Sequence, residues 1–246
     1  MKILHRTKGL VHDLIVTRDA GMITLWSGEG VRQTVFDGEA PYIPGLEYAR
    51  NMLASLALCP QAQSCLVLGL GGGSIPRMLL AARPHLEVEA VEIDPSVVEV
   101  AARFFDIRAL PRFTVHLEDA AVFLKRCSSR YGVVVVDTYI GATFPDQCAN
   151  QEFIRNARRC LVDDGVLAIN WMDGNLEMRK DLLKSLGSTF GGVWQLPCLK
   201  THNSVYFAAA KNATRHAILS SAAAVEAGVP FENSLKRLTQ RLRTIH

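Results

Sequence analysis

SCLVLGLGGGSIPRMLLAA, residues 64–82, decides the fold. The apolar run CLVLGL ends in Gly69-Leu70-Gly71-Gly72-Gly73-Ser74, and helical spacing takes over from about Ile75. A buried strand turning through glycines into a helix is the first ligand loop of an open α/β sheet. Glycine serves there in two ways: it adopts positive φ, and its missing side chain lets a ligand approach the backbone. The loop is a weak signal alone, because a tight strand-to-helix turn needs glycine for packing as well.

The segments that follow repeat the pattern. VEAVEI (88–93) precedes a helix from Pro95, FTVHL (113–117) one from Asp119, and VVVVD (133–137) one around Glu152 to Leu161. VLAINW (166–171) and a helix around Leu176 to Leu186 come next, and strands near VWQL (193–196) and SVYFAAA (204–210) close the series. Strands this uniformly apolar are buried on both faces, which requires helices on both sides of a parallel sheet. Upstream, LVHDLIV, MITLW and RQTVF are separated by turn signals at Asp19-Ala20-Gly21 and Ser27-Gly28-Glu29-Gly30, predicting a small antiparallel β-unit. Met52, Leu53, Leu56 and Ala57 then mark a linking helix over Tyr48 to Leu58 that Pro60 ends. The expected architecture is a doubly wound, Rossmann-like α/β sheet (59–246) behind a small N-terminal β-unit with its helix (1–58). From Ala213 to His246 the pattern predicts one or two helices, with Leu235, Leu238 and Leu242 docked and Lys236, Arg237, Arg241 and Arg243 on a solvated basic face.

Composition narrows the function classes. The chain has 246 residues, 49% hydrophobic and 21% charged, enough to bury a full core. No apolar run approaches the roughly 20 residues of a bilayer helix. The start, MKILHRTKGLVHD, lacks an uninterrupted apolar segment, so no signal peptide and a cytoplasmic location are expected. A net charge of +3 is too slight to argue for nucleic acid, and the one basic cluster lies in the C-terminal tail, where a solvated helix face is expected before a nucleic-acid or partner surface. The six cysteines (59, 65, 127, 148, 160 and 198) include no CxxC and are expected as reduced core thiols. The seven histidines form no HxxxH or HExxH, and no metal is expected.

The acids after the glycine loop carry the specificity. Glu92 ends the second strand about 20 residues beyond the glycines, where a carboxylate accepts from ribose hydroxyls. Asp119 ends the third strand, beside where the base would lie. Each acid alone is compatible with a simple helix N-cap, a role Asp94 before Pro95 fits well. As an ordered set, GLGGG, VEID and ED match the class I methyltransferase pattern better than the GxGxxG of NAD or FAD enzymes.

At these residues the chain resembles the spermidine synthase family, the polyamine aminopropyltransferases, in its divergent spermidine-synthase-like branch. The resemblance runs from about Val31 to Ala209 and is strongest in LVLGLGGGSIPRMLL, VEAVEIDPSVVEVAARFF, PRFTVHLEDAAVFL, YGVVVVDTY and RRCLVDDGVLAIN. It implies decarboxylated S-adenosylmethionine, or S-adenosylmethionine, as co-substrate and a small-molecule amine as acceptor. It also implies that Gly69, Gly71, Gly72, Gly73, Glu92 and Ile93 hold the donor, Asp119 and Ala120 the adenine, and that Asp137 is the catalytic acid. Tyr139 is a further candidate for the substrate side, or packing. The family's glycine loop usually ends GGGDG, its acid facing the donor's amine, and Ser74 is read as standing there. Its catalytic loop commonly reads DSSDP; here Asp137-Thr138-Tyr139-Ile140-Gly141 puts Ile140 in place of the second acid. The family's PxYPxGxWGF segment is not recognisable in LPCLKTHNSVYFAAA. Asp146 or Asp173 is a possible substitute for the missing acid. Aminopropyl transfer is therefore expected first, methyl transfer from intact S-adenosylmethionine second, and a non-catalytic adenosyl-binding protein third. A homo-oligomer, most simply a dimer, is expected, since a small sheet with exposed edges is marginal alone.

Overall fold

The computed structural model describes residues 1–28, 30–172, 174–226 and 235–245. Four strands, β1 (Lys2–Lys8), β2 (Asp13–Asp19), β3 (Met22–Ser27) and β4 (Val31–Asp37), form an antiparallel sheet in sequence order. The β2–β3 hairpin closes through Ala20 at φ +45° and Gly21 at φ +82°, the handedness a two-residue hairpin turn requires. β1 is an addition to the sequence reading. Its alternating KILHRTK is mostly polar, so apolar patterning does not reveal it; its ladder to β2 forms it. The linking helix is broken into α1 (Glu47–Asn51), a 3-10 turn (Met52–Ala54) and α2 (Ser55–Leu58).

The large sheet contains β5 (Ser64–Leu68), β6 (Glu87–Glu92), β7 (Phe113–Leu117), β8 (Tyr131–Val136), β9 (Leu161–Met172), β10 (Gly192–Pro197), β11 (Asn203–Ala209) and β12 (Arg243–Thr244). Its order is β12-β10-β11-β9-β8-β5-β6-β7. β5 to β9 run parallel, while β10, β11 and β12 add antiparallel pairings, so the sheet is mixed. β12 lies inside the tail expected to be purely helical.

Helices cover both faces: α3 (Ser74–Ala82), α4 (Pro95–Phe104), α5 (Ala120–Arg126), α6 (Asp146–Ala149), α7 (Gln151–Arg159), α8 (Leu176–Thr189), α9 (Arg215–Glu226) and α10 (Leu235–Gln240). Successive residues of a strand enter opposite cores. Cys65, Val67, Val133 and Val135 pack with Met52, Met78, Leu235 and Leu238. Leu66, Leu68, Val134 and Val136 pack with Phe123, Ile154, Leu182 and Leu186. This two-sided burial is why both strands read as unbroken apolar runs. The N-terminal sheet has a smaller core, in which Leu14, Val16, Leu25 and Phe36 meet Val97, Val100 and Phe105. That contact fixes the first sheet over the carboxyl ends of the second.

All six cysteines are free thiols. No helix among the described residues is long and apolar enough to cross a membrane, and none of them group as a metal site.

Candidate active site

The chain leaves β5 toward β6 on one side and returns through β8 on the other, so a crevice opens at the carboxyl ends of β5 and β8. Open α/β sheets bind ligands at such a switch point. The glycine loop follows β5 and Asp137 follows β8, and the two touch. A Cβ on Gly69 would stand 2.2 Å from the Asp137 carbonyl oxygen, and Gly69 itself has φ +94°. No other residue fits there. The crevice widens into a cavity of about 390 Å³, walled by both sheets.

Of the glycines, Gly69 and Gly71 line this cavity. Gly72 and Gly73 do not. Gly72 donates its N–H to Thr34 Oγ1 at 2.8 Å and packs against Thr34 and Phe105, and Gly73 is pressed against Ile107. These two seat the N-terminal sheet and α3 rather than facing the cavity. Ser74 opens α3 and is not on the cavity wall either.

Glu92 ends β6 with both carboxylate oxygens engaged. Oε2 accepts from the Leu70 N–H at 3.0 Å and Oε1 from the Asp94 N–H at 3.0 Å. Burial pushes its pKa up, and these backbone donors pull the other way. Glu92 lines the cavity, and a carboxylate oxygen with one donor can accept a second. Asp94 caps α4 through the Ser96 N–H at 2.8 Å, as its place before Pro95 predicts. Its other oxygen accepts from the Leu10 N–H at 2.7 Å, pinning the β1–β2 loop over the site.

Asp119 is both an N-cap and a cavity residue. Oδ1 takes the Ala121 and Val122 N–H groups at 2.8 and 3.0 Å, which leaves Oδ2 for a ligand. Ala120 and Ile93 line the same end, Ile93 being 46% exposed.

Asp137 is half-buried, and its two oxygens have different partners: Asn170 Nδ2 donates to Oδ1 at 2.8 Å and Tyr48 Oη donates to Oδ2 at 3.1 Å. Burial raises the Asp137 pKa above its ordinary value, and the two hydrogen bonds oppose this. Tyr48 is pushed well above its usual range, by burial first and the Asp137 charge second, so it stays protonated and donates. Asn170 also accepts from Asn203 Nδ2 at 3.0 Å, extending the network to β11.

Tyr139 lines the cavity, but its hydroxyl is occupied, accepting from the Met172 N–H at 2.6 Å and donating to the Asn170 carbonyl at 3.3 Å. It ties the Asp137 loop to β9. Ile140 is 37% exposed on the cavity wall. Asp146 is exposed at the start of α6 and off the wall, so it does not replace the missing acid; Asp173 lies outside the described residues.

Sequence reasoning missed Tyr48, Asn170, Asn203 and His12. Asn170 left a signal, being the one polar residue in the buried run VLAINW. His12 is brought in by the β1–β2 loop, and a Cβ on Gly141 would lie 2.7 Å from its Nε2. Only the fold reveals that meeting.

Residues 47–200 match the spermine/spermidine synthase domain family. A polyamine aminopropyltransferase of Vibrio vulnificus is 31% identical over 178 residues, which are 68% of this chain. The chain spans 58% of that relative's length. Among solved structures, a probable spermidine synthase from Corynebacterium glutamicum superposes with a TM-score of 0.77 at 19% identity, covering 99% of this chain and 91% of that one. Human methyltransferase-like protein 13, solved in complex with SAH, superposes with a TM-score of 0.69 at 25% identity, over 76% of this chain and 94% of that one.

Proposed function

Because the chain belongs to the spermine/spermidine synthase family, we propose that it is a transferase that moves an aminopropyl group from decarboxylated S-adenosylmethionine to an amine. One observation carries this reading: Glu92, Asp119 and Asp137, from the ends of three different strands, line one cavity beside the glycine loop. In this reading Glu92 accepts from the ribose hydroxyls, with Gly69 and Gly71 against the nucleoside. Asp119 Oδ2 accepts from the adenine amino group, with Ala120 and Ile93 beside the base.

The sulfonium then lies near the meeting of the Gly69 loop with Asp137. The amine nitrogen attacks the aminopropyl carbon, the carbon–sulfur bond breaks, and methylthioadenosine leaves with the electron pair. Positive charge passes from sulfur to nitrogen, so in-line positioning and exclusion of water matter more than a strong anionic field. A protonated amine has no lone pair to attack with, and Asp137 accepts its proton. Burial raises the carboxylate's basicity, which brings it nearer the pH at which a general base is effective. Tyr48 and Asn170 hold each oxygen in place.

The test is Asp137→Asn. Loss of a positioned general base lowers methylthioadenosine release by about 100-fold or more while calorimetric donor affinity stays. The base must be ionised, so the wild-type rate rises with pH through a pKa displaced above the ordinary 3.8, and the variant lacks that limb. A variant at the wild-type rate would refute the assignment. Methyl transfer from intact S-adenosylmethionine is the second reading, favoured by the likeness to methyltransferase-like protein 13. Release of S-adenosylhomocysteine in place of methylthioadenosine identifies it.

We further read residues 1–58 and 59–246 as the two units of the chain and the cytoplasm as its compartment, in keeping with six free thiols. A homodimer is part of the same reading. Among the described residues β7 is the edge strand of the large sheet, and Leu117 on it is 59% exposed, the kind of edge that association covers. Sedimentation at micromolar concentration tests it.

A further inference from the structure

The cavity's charges are unevenly partnered. Its acids Glu47, Glu92, Asp94, Glu118, Asp119 and Asp137 each accept from a protein donor: backbone N–H groups, Arg126, or the Tyr48 and Asn170 side chains. Arg32, exposed on β4, lines the same cavity; its backbone lies in the ladder opposite Trp26, but its side chain makes no hydrogen bond or ion pair with any described residue. Its neighbours fix its place. Gln33 and Thr34 lie against Gly71, whose Cβ would be 3.2 Å from Thr34 Oγ1 and 3.7 Å from the Gln33 carbonyl. On the other side Val31 pairs with Ser27, next to Gly28, which packs on His12, and His12 in turn meets Gly141 beside Ile140. Arg32 is thus next in sequence to the residues that border the glycine loop, and it shares the cavity wall with Ile140.

We propose that Arg32 binds a carboxylate carried by one of the two substrates. This rests on the transferase reading above: a carboxylate on the acceptor specifies the substrate class of aminopropyl transfer, and one on the donor selects the methyl-transfer reading instead. A guanidinium on the wall of a ligand cavity, unpaired among the described residues, suits a planar carboxylate, which it takes through two parallel hydrogen bonds. The same wall is unsuited to a diamine's distal ammonium, since Ile140 offers no charge and Arg32 repels. The carboxylate has two sources: the methionyl end of an intact S-adenosylmethionine donor, or an amino-acid acceptor such as ornithine or 4-aminobutyrate in place of putrescine.

Arg32→Gln separates them, and the residue's exposure makes the variant tolerable to the fold. Calorimetry compares S-adenosylmethionine with decarboxylated S-adenosylmethionine, and kinetics compare ornithine and 4-aminobutyrate with putrescine. A loss of about tenfold or more in affinity for S-adenosylmethionine alone puts the carboxylate on the donor; the same rise in KM for the carboxylated acceptors alone puts it on the acceptor. Either result supports the proposal. If the variant changes carboxylated and uncarboxylated partners equally, or neither, the proposal is overturned while the transferase reading stands. A wild-type protein that binds neither donor removes both.

Discussion

Glu92→Gln puts the donor site to its sharpest test, because the carboxylate does two jobs with the same two oxygens. It accepts from Leu70 N–H and Asp94 N–H, each at 3.0 Å, and in the proposed complex it also accepts from ribose. Glutamine keeps one acceptor oxygen and turns an NH2 group toward one of those N–H groups, so one buried backbone donor loses its partner. Hydrogen bonds to charged groups contribute about 1.5–3 kcal/mol, and an unsatisfied buried donor costs about 1–3 kcal/mol. The free protein is therefore destabilised by about 1–3 kcal/mol, a fall in Tm of about 2–12 °C for a chain of this size. Donor affinity falls by a further 1–3 kcal/mol or so, roughly 5- to 150-fold in Kd. Calorimetry with methylthioadenosine reads the binding effect at a temperature where the variant is fully folded, and free adenine, which lacks the ribose, is the control. If nucleoside and adenine affinities fall together, or the nucleoside's does not fall, Glu92 is not the ribose ligand.

Two further outcomes follow from the same geometry. Gly69→Ala forces a Cβ to 2.2 Å from the Asp137 carbonyl at φ +94°, and with about 3 kcal/mol for strain of this kind Tm drops by about 6–12 °C; a melt within 2 °C of wild type would show that the loop yields freely. Putrescine is a poor acceptor for the wild-type protein, because its distal ammonium loses solvent without a partner at Ile140, and even about 3 kcal/mol of lost transition-state binding is roughly a hundredfold in rate. Ile140→Asp improves its turnover; efficient wild-type turnover, or a well-folded variant no better, would show that the missing acid is not limiting.

The parallel half of the sheet was legible because its strands are buried on both faces, and the glycines and acids lie at strand ends where local sequence dictates backbone. What escaped depends on pairings between distant segments. β1 is held by its ladder to β2, β12 by two pairs with β10, and neither has an apolar pattern of its own. Glycine content alone could not tell Gly69, against Asp137, from Gly72, against Thr34, since that distinction is made by what packs on the loop. Tyr48 and Asn170 converge on Asp137 from positions 89 residues before it and 33 after it, a separation no motif spans.

The hydrogen bonds from Leu10 to Asp94, from Asp94 to Glu92 and from Leu70 to Glu92 form a single series. The loop that roofs the cavity is thus wired to the carboxylate proposed to hold the sugar, through the residue that starts α4. Tightening at one end favours order at the other, and the free energy of keeping the roof closed and that of holding a nucleoside are shared rather than separate. A transplanted N-terminal sheet would therefore have to bring its own N–H to Asp94, or the affinity of the site beneath it would change although no residue touching the ligand had been altered.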